Sequence, residues 1–269
     1  MQWLLLVLWA LVVVRFGVPI AFGPLGLRAR LRVRAIPEHA RLERADVPAP
    51  VLARFDACAA ALAREGCVFV GYARGESARG AHGYQATFLD ERSGARLTST
   101  SVLTPTGLAR EADALFARTP FTDGSSLATT NRAGPSAFVA DPRLTGYLLE
   151  ELDSASALLA AHRLIVEAER GARVPALPRA DRHARLEELL EEDAAHGRAG
   201  LARTLRAGWL EREGKGEFLR PTWLGALALT LRFTSPGKDL AALRRRRAGK
   251  RALEQARAAA SKPATSRAP

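Results

Sequence analysis

Two cysteines, five histidines and one Ser/Thr-rich stretch are the residues of this 269-residue chain whose types and spacing could do chemistry. Cys58 and Cys67 stand nine apart with no Cys-x-x-Cys, so they form neither a redox motif nor a disulfide framework, and they fit small buried hydrophobes of a reducing compartment. "RHARLEELLEEDAAHG" places His183 with Glu187 and Glu192 with His196 at i,i+4, and Asp193 with His196 at i,i+3, spacings at which one helical turn can chelate a cation. Carboxylate-rich helices are far more often solvated faces, so no metal is expected. His162 falls on the apolar stripe of "DSASALLAAHRLIVEAERG", the position of a packed imidazole rather than of an acid or base. His82 sits in "GYARGESARGAHG", a flexible loop without Gly-Lys-[Ser/Thr] or Gly-x-Gly-x-x-Gly, so no phosphate loop is present. "TDGSSLATTN" gathers Asp123, Ser125, Ser126, Thr129, Thr130 and Asn131 on alternating strand positions, a solvated sheet face with ligand binding as the alternative. Gly-x-Ser-x-Gly is absent, and no catalytic set or cofactor is expected.

The elements that position these residues follow from periodicity. "VLARFDACAAALAREG" carries Leu52, Phe55, Cys58/Ala59 and Leu62 at helical spacing and stops at Gly66. "CVFVGY" predicts a strand, "GYQATFLDERSGARLTSTSVL" a hairpin with Tyr84, Ala86, Phe88, Ala95 and Leu97 on one face, and "DALFARTPFTDGSSLATTN" a second hairpin turning at Asp123-Gly124. With the helix through His162, residues 51–171 make an α+β domain, an antiparallel sheet of about five strands flanked by helices. "RVPALPRA" separates a helical subdomain, 179–237, and a basic, partly disordered tail, 238–269.

The N-terminus, "MQWLLLVLWALVVVRFGVPIAFGPLGLRARLRVR", is apolar from Trp3 to Leu27 but for Arg15. Its length allows a transmembrane anchor, 1–27, kinked in its second half by Pro19 and Pro24. It lacks the basic start and the cleavage site of a signal peptide. Four arginines in 28–34 head a juxtamembrane linker, 28–50, and by the positive-inside rule leave the bulk of the chain cytoplasmic at a bacterial inner membrane. The formal charge of +12 is concentrated at the ends: 1–34 holds five arginines and no acid, 238–269 ten basic and two acidic residues, and the middle 25 basic and 26 acidic. That distribution suits an anionic lipid leaflet better than nucleic acid. The expected membrane contacts are Trp3, Trp9, Arg15, Arg28, Arg30, Arg32 and Arg34, then Trp223 and Phe233 of "TWLGALALTLRF", then Arg244, Arg245, Arg246 and Arg247 of the tail.

"GLARTLRAGWLEREGKGEFLRPTWLGAL" resembles the recognition helix and wing of winged-helix DNA-binding proteins, which implies a membrane-tethered regulator as a second function class. The N-terminal apolar run together with "ALAREGCVFVGY", "FTDGSSLATTN", "LLAAHRLIVEAERG" and "PTWLGALAL" is similar to a set of uncharacterised membrane-anchored bacterial proteins. The resemblance implies an anchor plus an α+β domain and supplies no catalytic residue. The leading expectation is a membrane-anchored binding or scaffold module, with an enzyme of unrecognised site as a third class.

Overall fold

The computed structural model describes residues 2–12, 14, 17–34, 39–76, 82–104, 107–108, 113–132, 138–169, 173–176, 182–214, 218–235 and 237–261. In chain order its elements begin with α1 (Gln2–Val12), α2 (Val18–Arg30), β1 (Val33–Arg34), β2 (His39–Leu42), α3 (Ala49–Arg64), β3 (Val68–Glu76), β4 (His82–Asp90) and β5 (Ala95–Thr104). There follow β6 (Gly107–Leu108), β7 (Ala114–Pro120), β8 (Ser126–Thr130), β9 (Leu144–Leu148), α4 (Ala155–Glu169), α5 (Arg182–Arg206), β10 (Leu210–Glu213), β11 (Phe218–Pro221), α6 (Trp223–Phe233) and α7 (Gly237–Ala260). They divide into a first unit of residues 1–37, 135–140 and 193–244 and a second of 38–134, 141–192 and 245–269.

The second unit is α+β, and both predicted hairpins form, β4–β5 paired from His82↔Leu103 to Asp90↔Ala95 and β7–β8 turning at Asp123-Gly124. The expectation of about five antiparallel strands is corrected: the sheet runs β2-β3-β4-β5-β7-β8-β9, with β6 beside β5, and it is mixed because β8 and β9 are parallel. The added edge strand β2 lies in the charged stretch expected to be linker, and its four residues "HARL" hold too little alternation to announce a strand. β9, "LTGYL", follows a Pro-containing irregular stretch and reaches its place only by pairing with β8.

Alternation puts Tyr84, Ala86, Phe88, Ala95 and Leu97 on one face, all buried, where they pack with Val51, Phe55 and Leu62 of α3 and Leu159 of α4. The other face is covered too: Leu186 of α5 lies against Gly71, and Arg96 donates to the Leu189 carbonyl at 3.2 Å. Helices therefore flank both faces. Of the stretch expected as a basic, partly disordered tail, residues up to Ala260 form α7, and its Leu253 and Ala256 join Phe121, Leu149, Leu158 and Ile165 in a second apolar cluster of this unit.

Among the buried polar groups, His162 and Asp90 stand inside this core with their partners. His162 is fully buried, Nε2 lying 2.9 Å from the Thr119 hydroxyl and Nδ1 3.0 Å from that of Thr129, so both ring nitrogens are satisfied from β7 and β8. Asp90, also buried, accepts from Arg163 Nε at 2.9 Å and Nη2 at 3.1 Å, from the Ser93 hydroxyl and from the Arg92 N–H. Burial pushes the Asp90 carboxyl up, but these donors outweigh it and hold it below the ordinary range. Arg163 reaches on to the Glu65 carbonyl at 2.8 Å, tying α4 to the end of α3 and to the β4–β5 turn.

In the first unit β1, β11 and β10 form an antiparallel sheet in that order. Thr222 caps α6, its hydroxyl accepting from the Gly225 N–H at 3.0 Å. Gly225 approaches the Trp209 backbone so closely that a Cβ there would lie 1.8 Å from the carbonyl oxygen, and Gly23 of α2 lets that helix rest on Thr230 of α6, where a Cβ would lie 2.5 Å from Cγ2.

The expected transmembrane anchor is not formed. α1 has 11 residues and α2 13, roughly 16 and 20 Å against a hydrocarbon core of about 30 Å, and no described helix is long and apolar enough to cross a membrane. Pro19 lies in the first turn of α2, Pro24 stands inside it, Arg28 and Arg30 fall in its last turn, and one side of α2 is covered by α6.

Burial holds the His162 pKa down to about 4, so between its ordinary 6.5 and that value the unfolded chain binds a proton that the folded chain refuses. Stability should fall by on the order of 3 kcal/mol as pH drops through this window and level off below it, and His162→Gln should flatten the slope in urea melts taken at successive pH values. Arg163→Met should cost roughly 3–5 kcal/mol in the same assay by leaving the Asp90 charge buried without its partner, and adding Asp90→Asn should restore part of the loss.

Candidate functional site

The first unit carries the most unusual surface. Every described side chain of α1 is exposed, Trp3 at 81% and Trp9 at 68%, with Leu4, Leu5, Leu6 and Val7 between them. α2 exposes Phe22 and Leu25 on the side away from Thr230, and α6 exposes Trp223 at 56% with Leu224, Leu227 and Leu231. A helix apolar all round is ordinarily found inside a protein or a bilayer, and apolar exposure on this scale marks an interaction surface.

Arginines stand at the polar end of α2. Arg28 donates to the Pro221 carbonyl at 2.8 Å and to Glu211 at 3.0 Å, and its guanidinium lies 5.1 Å from the centre of the Trp223 ring. Glu211 also accepts from Arg220 at 2.8 Å, and Arg32 pairs with Glu213 at 2.9 Å. Arg30 is exposed.

The sequence-predicted contacts distribute as follows. Trp3, Trp9 and Trp223 are exposed, Phe233 is half-buried, Arg28 is half-buried and paired, and Arg32 is exposed and paired. Arg15 lies outside the described residues, as does the side chain of Arg34, whose backbone pairs with Phe218. Arg244 and Arg247 are exposed, Arg245 is half-buried with a partner, and Arg246 ion-pairs with Glu150 as Lys250 does with Glu151. Among the described residues no three His, Cys, Asp or Glu side chains come together as a metal site, and the His82 and His183 side chains lie outside them. In "TDGSSLATTN" the residues Ser126 and Thr129 turn inward, Thr129 to His162, while the Asp123 carboxylate accepts from the Ser125 N–H and hydroxyl, which draw its pKa below the ordinary value.

The second unit contains a cleft of about 510 Å³ between α3, the neighbouring parts of β5 and β7, the end of β8 and the start of α4. Arg54 pairs with Asp113 in its wall, and the Ser101 hydroxyl donates to the same carboxylate at 2.7 Å. Cys58 lines it beside Ser99. Sequence spacing brings Arg54 and Asp113 no nearer than 59 positions, so only the folded sheet pairs them. Compared with protein-family models, curated proteins and solved structures, the chain matches none.

Burial pushes the Cys58 thiol up to about 11 and the Cys67 thiol to about 12, which withholds the nucleophilic thiolate at neutral pH. Alkylation of the folded chain by iodoacetamide at pH 8 should run about two orders of magnitude slower than in urea, followed by mass spectrometry at each cysteine.

Proposed function

We propose that this chain is a peripheral membrane-docking module that seats α1 and the outward faces of α2 and α6 in the interfacial layer of an anionic bilayer, without crossing it, and displays a folded α+β unit there for binding or scaffolding. The observation that carries the reading is a helix, apolar after Gln2, whose described side chains are all exposed, sharing a unit with two further apolar faces. Transferring Trp3, Leu4, Leu5, Leu6, Val7 and Trp9 out of water is worth on the order of 10 kcal/mol before ordering costs. Charge supplies the choice of bilayer: residues 1–37 hold five arginines and no acid, which favours anionic headgroups by about 1 kcal/mol for each arginine that reaches them. Tryptophans at the edge of such a face suit the headgroup boundary.

The DNA-binding reading retains one supporting feature, the succession of α5, the hairpin β10–β11 and α6. Its electrostatics favour it less, because Glu211 and Glu213 take up Arg28, Arg32 and Arg220 around that hairpin.

The full chain should sediment with vesicles containing a third anionic lipid and should keep part of its binding in high salt, where only the apolar term remains. Leu5→Glu should weaken partitioning by at least about tenfold with unchanged circular dichroism. Equal sedimentation of the variant, or a sequence-dependent DNA shift that survives moderate salt, would contradict the reading.

A further inference from the structure

Two helix faces of this chain are complementary in charge, polarity and length. The inner side of α7 is fixed: Gly249, Leu253 and Ala256 are buried, a Cβ on Gly249 would lie 2.7 Å from the Leu148 carbonyl oxygen, and Arg246 and Lys250 pair with Glu150 and Glu151. On the opposite side, at spacings of three and four, Leu240, Leu243, Arg244, Arg247 and Arg251 are all exposed. This face passes from apolar to basic, and residues 240–253 hold six basic residues and no acid.

Helix α5 has the converse face. Leu186, Ala194, Leu201 and Thr204 are buried on one side, and Glu188, Glu191, Glu192, Ala195 and Ala199 are exposed on the other. It passes from acidic to small apolar, and residues 186–197 hold five carboxylates and neither lysine nor arginine. Laid antiparallel, the two faces share a register. Eleven residues separate Glu188 from Ala199, and eleven separate Leu240 from Arg251, about 16 Å of helix in each case. With Glu188 beside Arg251, Glu192 falls beside Arg247, Ala195 beside Arg244 with Glu191 one turn before it, and Ala199 beside Leu240. Both faces are exposed within one chain, so the pairing is made between chains.

We infer that the outer face of α7 docks the outer face of α5 from a second copy of this chain, through the Arg251–Glu188 and Arg247–Glu192 pairs and through Leu240 and Leu243 lying on the alanines. The contact owes nothing to the apolar helix α1. Exposed ion pairs contribute little each, so the association is weak and falls with salt.

Charge exchange on the full-length chain tests the assignment. In sedimentation velocity the wild-type protein should associate at low salt and lose at least about tenfold in affinity at high salt. Arg247→Glu with Arg251→Glu, and separately Glu188→Arg with Glu192→Arg, should each abolish the salt-sensitive association. Mixing these two variants should restore it, because each then offers the other a complementary face. Association through α1 would persist in every variant and at every salt concentration, which tells it apart. Should a reversal not fold by circular dichroism, Arg247→Gln with Arg251→Gln takes its place and should weaken association in the same sense. Variants that associate like the wild type, a mixture that fails to restore what each variant lost, or a wild-type chain with no salt-sensitive association that binds anionic vesicles through these arginines would overturn the assignment.

Discussion

Helix α2 rests one side on α6, and that contact governs what the N-terminal apolar run can become. The crossing is close because Gly23 carries no side chain where Thr230 stands, and Arg28 locks the far end through Glu211, the Pro221 carbonyl and the Trp223 ring. A helix held this way has one side covered by protein. Phe22 and Leu25 of α2, like the outer side of α6 and the described side chains of α1, are left exposed. The same packing thus leaves these apolar side chains exposed. The arginines that sequence reading assigns to headgroups serve first as ties between α2 and the β10–β11 hairpin, with Arg30 left exposed.

The second unit follows a different logic. Its sheet is covered on both faces, and the covering helices are registered by polar groups rather than by shape alone. His162 joins α4 to β7 and β8, while Asp90 and Arg163 join α4 to α3 and the β4–β5 turn. Each is costly to bury and nearly neutral once paired, so together they favour one docking of α4 over the others an apolar stripe would accept. That docking sets where α4 begins, and hence the shape of the cleft with Asn131 in its wall.

Periodicity was enough to read the two hairpins, the inward face from Tyr84 to Leu97, the helices around Phe55 and His162, and the packing role of His162, because each is a local pattern with a clear stop. The strands β2 and β9 were not legible: four or five residues carry no usable period, and both exist through pairing with a neighbour already in place. The N-terminal run reads as a span because hydropathy sums over residues without regard to the helices they form, and neither α1 nor α2 is long and apolar enough to cross a membrane. Of the exposed apolar residues, Trp3, Trp9 and Trp223 could be named from sequence, whereas Phe22 and Leu25 could not, since which side of α2 meets α6 is a tertiary fact. The Arg163–Asp90 pair spans 73 positions and the Arg54–Asp113 pair 59, and no local signal points from one partner to the other.

Depth is what separates a docked face from a spanning helix and from no membrane contact at all. Three of the four tryptophans, Trp3 and Trp9 of α1 and Trp223 of α6, are exposed, and Trp209→Phe would leave them as the sole emitters. The most direct measurement is their quenching in anionic vesicles whose lipids carry bromine either near the glycerol end or near the acyl terminus. Interfacial docking predicts strong quenching by the shallow bromines and weak quenching by the deep ones. Quenching that is strongest at the acyl terminus, or absent at both depths, would contradict it.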